Sequence, residues 1–307
     1  MDIDTPQDVV VIGGGAAGRS AALVLGRARR RVVVVDAGQP SNQVATGIGG
    51  FLGHDQRPPD QFYAATRVEL AKYPTVRWRE GTVAAVDPAD PAAEGGGWRV
   101  ALEDGTTLQA RFVLLAMGMR YDVPDLPDVG GRWGASVFHC PFCHGWEHHD
   151  QPLAMLAGDG RPATEGALLL RNWSDDVTVV APPGTVGGAD RKVLAAHGVP
   201  VADGEIAHLH GPGRELASIE LADGTVVPAR GLLVAAPHVQ RTGLAADLGV
   251  ALDESGHVVA DAFGRTNVDG VRAVGDLTTP MALVVHAADT GALAAVGIVR
   301  DIVAAQM

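Results

Sequence analysis

Two cysteines lie three positions apart near the middle of the chain, and the 307 residues contain no others. They are Cys140 and Cys143, and His144 follows the second one directly. At this spacing two thiols can close a small disulfide ring or react in sequence, whereas two cysteines alone cannot supply the four ligands of a structural zinc site. A lone C-x-x-C near a nucleotide-binding pattern is typical of redox chemistry. The pair is therefore predicted to be redox-active; a static disulfide or two buried thiols is the structural alternative.

His144 is the candidate acid and base for this chemistry. The thiolate is the reactive form of cysteine, and a free cysteine is mostly protonated at neutral pH. A neutral imidazole can take a proton from an incoming thiol or from Cys140, and an imidazolium can return it. The alternatives are a solvated loop residue or a metal site shared with His139, His148 and His149. These histidines lack the helical pair flanking a glutamate that metalloproteases use, so no metal is expected.

A βαβ pattern near the N-terminus predicts a dinucleotide site. Residues 9–12 form an apolar run typical of buried parallel strands, and residues 32–35 form a second run that ends at Asp36. Between them lie a glycine turn at 13–18 and small, apolar residues that predict a helix over 21–29. A bare GxGxxG is a weak signal, but strand, turn, helix, strand and acid in this order form a specific fingerprint.

Each glycine of this turn has its own expected role. Gly13 allows the tight turn, Gly15 lets the backbone approach a pyrophosphate, and Gly18 lets the helix pack closely on the strand. The N–H groups that begin the helix are expected to face the phosphates, and Asp36 is placed to accept from a ribose hydroxyl. The predicted nucleotide-binding residues of this unit are Gly13, Gly15, Ala16, Ala17, Gly18 and Asp36.

A second βαβ pattern repeats the architecture with weaker chemistry. Its strands are predicted at 153–157 and 177–181, and its turn at 158–163 is a GxGxxA variant that leads into a helix over 164–171. No acid ends its second strand to hold a 2′-hydroxyl, and the next basic residue is Arg191. A Rossmann unit without a ribose reader is either a structural relic or a weak binder.

Two features of the chain stay open on the sequence alone. The glycine-rich stretch 47–54 either lies against a flat cofactor ring or is a plain surface loop, and Phe142 and Trp146 either line a substrate pocket or belong to the core. The other predicted elements are strands over 76–113 with turns at 95–97 and 104–105, a strand over 113–118, a linker at 124–127, a strand meander over 199–237, a strand ending at 275–276 and a helix over 286–305.

Composition bounds the partners and the compartment. The chain is long enough for two domains, and with 47% apolar and 20% charged residues it should be globular. The net charge of −12 argues against nucleic acid or an anionic membrane as partner. The acidic N-terminus lacks the features of a signal peptide, and no run of 18 apolar residues exists. A cytoplasmic location is expected, where structural disulfides are rare.

In order and spacing, these motifs resemble the thioredoxin-reductase-like FAD-dependent disulfide oxidoreductases over nearly the whole chain. The matching pieces are the 13–18 turn with Asp36, the strand end at 116–118, the C-x-x-C just before the second glycine turn, the 273–276 segment and the final alanine-rich helix. The resemblance implies an α/β fold of two Rossmann-like domains in a three-layer ββα arrangement. An FAD domain (1–119 and 240–307) would be split by an inserted NAD(P)-like domain (120–239) that carries the cysteines.

The same resemblance implies roles for individual residues. FAD would bind the first unit, with Gly118 at the strand end and with Gly275 and Asp276 at its ribityl and pyrophosphate region. Cys143 would lie beside the isoalloxazine, and Cys140 would exchange with substrate. Homodimers are usual in the family, and the partners it implies are a small-molecule dithiol or a thioredoxin-like protein.

The chain departs from thioredoxin reductases in ways that shift the expected reaction. His144 stands where an aspartate is usual, the arginine-rich NADPH signature is missing, and residues 283–286 lack a glutamine often found near the flavin. The string CPFCHGWE is more similar to the dithiol oxidases, such as the gliotoxin and holomycin oxidases. We therefore expect an FAD-dependent dithiol oxidase that passes electrons to oxygen or another acceptor without strong NADPH dependence. An NADPH-dependent thioredoxin reductase is the alternative, and a flavin-binding regulatory or scaffold protein is the third possibility.

Overall fold

The computed structural model describes residues 5–90, 97–158 and 161–307, and the chain divides into two compact units. The first unit holds Met1–Gln43, Asp60–Arg120 and His238–Met307. The second holds Val44–Pro59 and Tyr121–Pro237. The segment Val44–Pro59 thus packs with the second unit although it lies between two stretches of the first. The predicted domain boundaries at 119 and 240, and the cofactor assigned to each domain, stay predictions.

Seven helices and seventeen strands occur within the described residues. Up to residue 121 they are β1 Gln7–Ile12, α1 Ala16–Arg27, β2 Val32–Asp36, α2 Pro59–Leu70, β3 Val76–Glu80, β4 Val83–Pro88, β5 Trp98–Leu102, β6 Thr107–Leu115 and β7 Met119–Tyr121. The middle of the chain forms β8 Val137–Phe138, α3 Pro141–His144, β9 Leu153–Leu156, α4 Ala163–Leu170, β10 Val177–Ala181, α5 Gly188–Ala196, β11 Val201–Asp203, β12 Ile206–His210, β13 Ser218–Leu221, β14 Val226–Pro228 and β15 Gly231–Leu233. The C-terminal part adds β16 His238–Gln240, α6 Gly243–Asp247, β17 Val271–Ala273 and α7 Val284–Ala304.

The first unit is built on a seven-stranded sheet in which β3, β2, β1, β6, β5 and β4 are neighbours in that order and β17 pairs with β6. Strands β1, β2, β3, β6 and β17 run parallel, while β4 and β5 form an antiparallel hairpin on the first half of β6. The valines of β1 and β2 are fully buried, as expected for strands covered on both faces. This parallel sheet with an antiparallel layer and helices confirms the predicted α/β fold class.

Helices α1 and α7 pack together on this sheet through small side chains. A Cβ at Gly291 of α7 would overlap the carbonyl oxygen of Ala17 in α1, so the two backbones approach as closely as glycine allows. The N-terminal fingerprint and the C-terminal helix therefore share one packed layer.

The second unit repeats the parallel architecture on a five-stranded sheet with the order β11, β10, β9, β15, β8. All of its pairings are parallel. A three-stranded antiparallel sheet of β12, β13 and β14 packs its apolar residues into a separate core with Leu232 and Val137. Two Rossmann-type sheets in one chain match the prediction of two dinucleotide-binding domains.

The differences from the predicted elements have local causes. The first helix begins at Ala16, five residues before its predicted start, because the residues of the glycine turn themselves form its first turn. The last helix begins at Val284. Parts of the predicted N-terminus and turns, residues 1–4, 95–96 and 159–160, lie outside the described residues. Within the described ranges, no helix combines the length and apolar character needed to cross a membrane.

Candidate redox and nucleotide sites

A disulfide joins Cys140 and Cys143 in the second unit, with their Cα atoms 5.4 Å apart. Cys140 is extended and immediately precedes α3, and Pro141 occupies the first helical position, where a missing N–H costs nothing. The N–H of Gly145 donates to the carbonyl oxygen of Pro141 at 2.7 Å and closes the only full turn of α3. The sequence therefore places both sulfurs on a single helical turn, and both cysteines are only partly buried.

His144 ends the same turn and is 8% exposed. Its ring stacks on Phe138 of β8, with centroids 5.6 Å apart. Neither ring nitrogen has a hydrogen-bond partner of normal geometry in the part of the chain that the structure describes, although the backbone of Cys140 and of Gly134 is close enough to raise the pKa. Burial is the largest influence, and together with the nearby His148 and Arg214 it lowers the pKa of His144 to about 4. The imidazole is therefore neutral at physiological pH.

The turn that carries the disulfide is packed tightly on two other segments. A Cβ at Gly49 would lie 2.6 Å from the carbonyl oxygen and 3.0 Å from the Cα of Cys143. A Cβ at Gly145 would lie 2.7 Å from the ring of Trp173. The glycine-rich stretch 47–54 thus contacts the backbone of the redox pair, a role that its composition alone did not reveal.

Two aromatic side chains beside the disulfide point into solvent. Phe142 is 68% and Trp146 60% exposed, so neither belongs to the core. Phe142 meets the ring of Trp173 edge-on at 5.4 Å, and Trp146 stacks on His149 at 4.4 Å. Both rings are therefore held in fixed orientations while their remaining surface is open.

The predicted nucleotide turn in the first unit has the expected shape. Gly13 has a φ of +107°, and a Cβ there would overlap the carbonyl oxygen of Ala116, so only glycine fits. A Cβ at Gly18 would overlap the carbonyl oxygen of Gly13, which explains the close approach of α1 to β1. A Cβ at Gly15, in contrast, would meet no atom within 4 Å beyond its chain neighbours, although the backbone conformation there is ordinary. Space is left open at the one glycine predicted to face a pyrophosphate.

Asp36 lies at the end of β2 directly over this turn. Its Oδ1 accepts from the N–H of Gly14 at 3.2 Å and from the N–H of Gly38 at 3.1 Å. Its Oδ2 lies 3.9 Å from the guanidinium of Arg19. The carboxylate is thus held in place by the turn itself.

Arg19 is a residue of this site that the sequence analysis missed. It is 9% exposed, and its Nε donates to the carbonyl oxygen of Gly14 at 2.6 Å while Nη1 donates to the carbonyl oxygen of Tyr63 at 2.8 Å. Its guanidinium also lies 4.4 Å from the ring centre of Trp78. Its position directly after Gly18 was visible, but its partners on α2 and β3 are distant in sequence and could not be read from the pattern.

The remaining predicted nucleotide residues meet at the ends of β6 and β17. A Cβ at Gly118 would lie 4.0 Å from Oδ2 of Asp276, and one at Gly275 would lie 3.0 Å from the Cβ of Ala17. The N–H of Gly275 donates to Oγ1 of Thr290 on α7 at 3.1 Å. Burial raises the pKa of Asp276 to about 6. The structure therefore brings together the glycine turn, Gly118, Gly275 and Asp276 in the first unit, and Cys140, Cys143 and His144 in the second.

The first basic residue after β10, Arg191, is already paired, and Lys192 beside it is exposed. The guanidinium of Arg191 pairs with both carboxylate oxygens of Asp203, and its Nε donates to the carbonyl oxygen of Val186 at 3.2 Å. Pro182 and Pro183 follow the strand directly. In the second glycine turn itself, Nη1 of Arg161 is buried and has no hydrogen-bond partner among the described residues, which leave out its neighbours 159 and 160. Within the described ranges, no group of three or more His, Cys, Asp or Glu side chains is arranged to hold a metal ion.

A profile of the pyridine nucleotide-disulphide oxidoreductases matches residues 7–291. The chain belongs to this family. Among its curated relatives, the thioredoxin reductase sirT of Leptosphaeria maculans is 30% identical over 311 residues, which cover 95% of this chain and 93% of that protein. A bacterial relative, the thioredoxin reductase of Listeria innocua, is 25% identical over 88% of this chain and 85% of its own length.

Solved structures of family members share the fold over nearly the whole length. The crystal structure of HlmI gives a TM-score of 0.90 at 39% identity, covering 97% of this chain and 93% of that one. The oxidoreductase from Agrobacterium tumefaciens gives 0.86 at 32% identity, covering 97% and 99%. The predicted resemblance to the thioredoxin-reductase-like oxidoreductases is confirmed, and this pyridine nucleotide-disulphide oxidoreductase is an enzyme that acts on disulfides. The roles assigned to its individual site residues stay predictions.

Proposed function

We propose that this enzyme is an FAD-dependent dithiol oxidase: it closes a disulfide in a substrate dithiol through Cys140 and Cys143 and does not depend on NADPH. The observation that carries the proposal is the disulfide on a single helical turn that ends in a buried, neutral histidine. A dithiol substrate has two protons to lose, and a neutral imidazole beside the disulfide is a group that can accept one.

The residues of the first unit fit FAD as the cofactor. The open space at Gly15 suits a pyrophosphate at the start of α1, and Asp36 is positioned to accept from a ribose hydroxyl. Asp276, held at the ends of β6 and β17, would accept from a hydroxyl of the ribityl chain. When bound, FAD supplies the acceptor for two electrons, which oxygen or another acceptor then removes.

The dithiol exchange balances without any further reactant. A substrate thiolate attacks Sγ of Cys140, the Cys140–Cys143 bond breaks, and Cys143 leaves as a thiolate. The second substrate thiolate attacks the substrate sulfur of the mixed disulfide, a disulfide forms in the substrate, and Cys140 leaves as a thiolate. The substrate has lost two electrons and two protons: the enzyme pair gains the electrons, one proton passes to His144 and the other to solvent.

His144 is proposed to receive a proton during this exchange. In the disulfide form burial keeps the imidazole neutral, so it has room for a proton. A thiolate on the same helical turn adds a negative charge nearby, and an adjacent opposite charge favours the imidazolium. Reduction of the pair therefore raises the pKa of His144 and couples electron transfer to proton uptake.

The second nucleotide turn supports independence from NADPH. In Rossmann units that bind NADP, an arginine near the end of the second strand accommodates the 2′-phosphate. Arg191, the first basic residue there, is already paired with Asp203 and bonded to the backbone. Two prolines occupy the loop before it and offer no N–H groups.

One observation favours the alternative, an NADPH-dependent thioredoxin reductase. Nη1 of Arg161 is buried, and no other described residue forms a hydrogen bond with it. A buried guanidinium nitrogen is costly when unpaired, and a nucleotide pyrophosphate would satisfy it. Arg161→Met therefore separates the two candidates, because it should weaken NADPH-driven reduction only if such a reaction exists.

The deciding experiment compares electron donors under anaerobic conditions. The purified enzyme with its FAD is mixed with NADPH, reduced thioredoxin or dithiothreitol, and the visible absorbance of the flavin is followed. We expect dithiothreitol to bleach the flavin and NADPH to change it little. Cys143→Ser should abolish bleaching by dithiothreitol. Rapid bleaching by NADPH would establish the reductase instead, and bleaching of Cys143→Ser at the wild-type rate would refute the exchange scheme.

A further inference from the structure

We propose that Gly49 is a positioning residue for the redox pair, because it lets the 47–57 loop press its backbone on Cys143 and so fixes where α3 holds the two sulfurs. The inference rests on the proposed function, since it concerns the reactivity of the same disulfide. The loop and the disulfide both belong to the second unit.

The 47–57 loop is an ordered element within the second unit. Ile48 and Arg57 form an antiparallel bridge, in which the N–H of Ile48 donates to the carbonyl oxygen of Arg57 at 2.9 Å. The N–H of Gln56 donates back to the carbonyl oxygen of Ile48 at 2.8 Å. The N–H of Gly50 donates to the Asp55 carboxylate at 2.8 Å, and Ile48 is 3% exposed. The loop therefore presents a defined surface to its neighbours.

Gly49 sits at the point where this surface meets Cys143. A Cβ there would lie 2.6 Å from the carbonyl oxygen, 3.0 Å from the Cα and 3.1 Å from the carbonyl carbon of Cys143. All three are backbone atoms, which cannot rotate away as the end of a side chain can. The φ of Gly49 is outside the left-handed region, so glycine is needed for space and not for backbone conformation.

The helix that holds the disulfide depends on such contacts. A helix of four residues has no stability of its own, because nucleation costs more than one turn returns. Its position is set by the contact with Gly49, by the contact of Gly145 with Trp173, and by the stacking of His144 on Phe138. A methyl group at Gly49 would displace Cys143 relative to Cys140 and His144.

Thiol–disulfide exchange is sensitive to this displacement. Misplacement of reacting groups by about 1 Å can cost roughly a hundredfold in rate. Because Gly49 contacts the backbone of Cys143, we expect its replacement to lower the rate at which the pair reacts and to leave KM unchanged. This pattern separates positioning from binding.

The test compares Gly49→Ala with Gly130→Ala in the FAD-loaded enzyme. Gly130 is an exposed residue of the same unit with an ordinary φ and open space around it, so its replacement should be neutral. Dithiothreitol is the probe dithiol; kcat and KM come from oxygen consumption. Rapid alkylation and mass spectrometry give the rate at which dithiothreitol opens the Cys140–Cys143 disulfide, independently of the flavin. FAD content and the thermal unfolding midpoint are measured for each protein.

We expect kcat of Gly49→Ala to fall by roughly tenfold or more, with KM within about twofold of wild type and FAD content unchanged. The rate of disulfide opening should fall in Gly49→Ala and stay at the wild-type value in Gly130→Ala. Equal kcat and equal opening rates in all three proteins would overturn the proposal. If Gly49→Ala loses FAD or fails to fold, the proposal is tested with Ile48→Val, which removes packing from the 47–57 loop without a clash. A lowered kcat in Ile48→Val would support the positioning role. A wild-type kcat would overturn it.

The proposed function can fail separately. If the wild-type enzyme consumes no oxygen with dithiothreitol, the oxidase assignment is wrong, and the alkylation rates alone then test Gly49. Unequal opening rates in wild type and Gly49→Ala would still support the positioning role, and equal rates would still overturn it.

Discussion

The imidazole of His144 lies parallel to the ring of Phe138, with an interplanar angle of 9° and centroids 5.6 Å apart. Phe138 is fully buried on β8. Its ring therefore fixes the orientation of the imidazole, while the helical turn of α3 fixes the position of the His144 backbone. This stack places a titratable ring in an apolar environment next to a disulfide. It explains why burial dominates the pKa of His144.

Replacement of His144 by phenylalanine should separate proton transfer from packing. His144→Phe keeps an aromatic ring on Phe138 but cannot take a proton, so kcat for a dithiol should fall by roughly a hundredfold. His148→Phe is the matched control, because His148 also stacks on Phe138 and does not adjoin the cysteines. Steady-state oxidation of dithiothreitol measures both variants; equal kcat values in His144→Phe and wild type would remove His144 from the mechanism.

Wild type and His144→Phe should also differ in how their stability depends on pH. The folded-state pKa of His144, about 4, is below its ordinary value of 6.5, so the unfolded chain binds a proton that the folded chain rejects. The contribution of the neutral His144 to the unfolding free energy is therefore present above pH 6.5 and is lost as the pH falls through 4. Between these limits the unfolding free energy of wild type should drop by about 3 kcal/mol more than that of His144→Phe. Urea denaturation at several pH values measures this, and parallel curves would contradict it.

Gly15→Ala should weaken the binding of FAD without lowering the stability of the protein. Apart from its chain neighbours, no described residue would lie within 4 Å of the added methyl, whereas a bound pyrophosphate at the start of α1 would. We expect the FAD dissociation constant to rise by roughly tenfold or more, and the unfolding midpoint of the cofactor-free protein to stay unchanged. Gly18→Ala gives the contrast, because its methyl would overlap the carbonyl oxygen of Gly13 and destabilise the protein itself. Flavin fluorescence titration measures the FAD affinity of both variants. An unaltered affinity in Gly15→Ala would show that the pyrophosphate does not bind at Gly15.

Asp276→Asn should change stability and cofactor affinity in opposite directions. Burial raises the folded-state pKa of Asp276 to about 6 from 3.8, so its stabilising effect is complete below pH 3.8 and lost as pH rises through 6. At pH 7.5, the variant without FAD should be more stable than wild type by on the order of 2 kcal/mol, with no difference near pH 4. Its FAD affinity should fall by roughly tenfold, because a hydroxyl then loses a charged acceptor. Denaturation and fluorescence titration test the two parts; a variant that binds FAD as tightly as wild type would exclude a ribityl contact.

Phe142→Ala and Trp146→Ala should raise the KM for small aromatic dithiols. Phe142 lies between the two cysteines in sequence and Trp146 three residues after the second, and both rings are mostly exposed. Their loss should therefore cost the folded protein little but remove apolar surface from a bound substrate. A contact between aromatic groups contributes about 1 kcal/mol, which corresponds to roughly a fivefold higher KM. Val193→Ala, an exposed apolar residue on α5 of the same unit, serves as the control. A series of dithiols with and without aromatic groups measures the effect, and an equal KM across the variants would show that substrate binds elsewhere.

The sequence was sufficient for the local patterns of this protein. Runs of valine around a glycine turn identify a buried parallel strand pair, and the structure has the pair at β1 and β2 with Val9 opposite Val32. The cysteine spacing predicted a reactive pair because the chemistry of two neighbouring thiols is local. Both features are written in fewer than thirty consecutive residues, which is why a single pattern captures them.

The contacts that complete the sites were out of reach because they join distant parts of the chain. Arg19 gains its role from Tyr63 and Trp78, and the 47–57 loop gains its role from Cys143 about ninety residues later. Glycine-rich stretches have the same composition whether they are flexible connections or close-packing surfaces. Only the neighbour of Gly49 distinguishes the two.

The pairing of β17 with β6 and of α7 with α1 has a consequence for biosynthesis. A ribosome releases residues 121–237 before it has made either of the C-terminal elements that finish the N-terminal sheet. Strands β1 to β6 are therefore translated before the elements that complete their sheet, and their apolar surfaces stay without these partners while residues 121–270 are synthesised. Nascent chains arrested before Val271 should be cut readily by protease between β1 and β6, and released chains that contain β17 and α7 should resist.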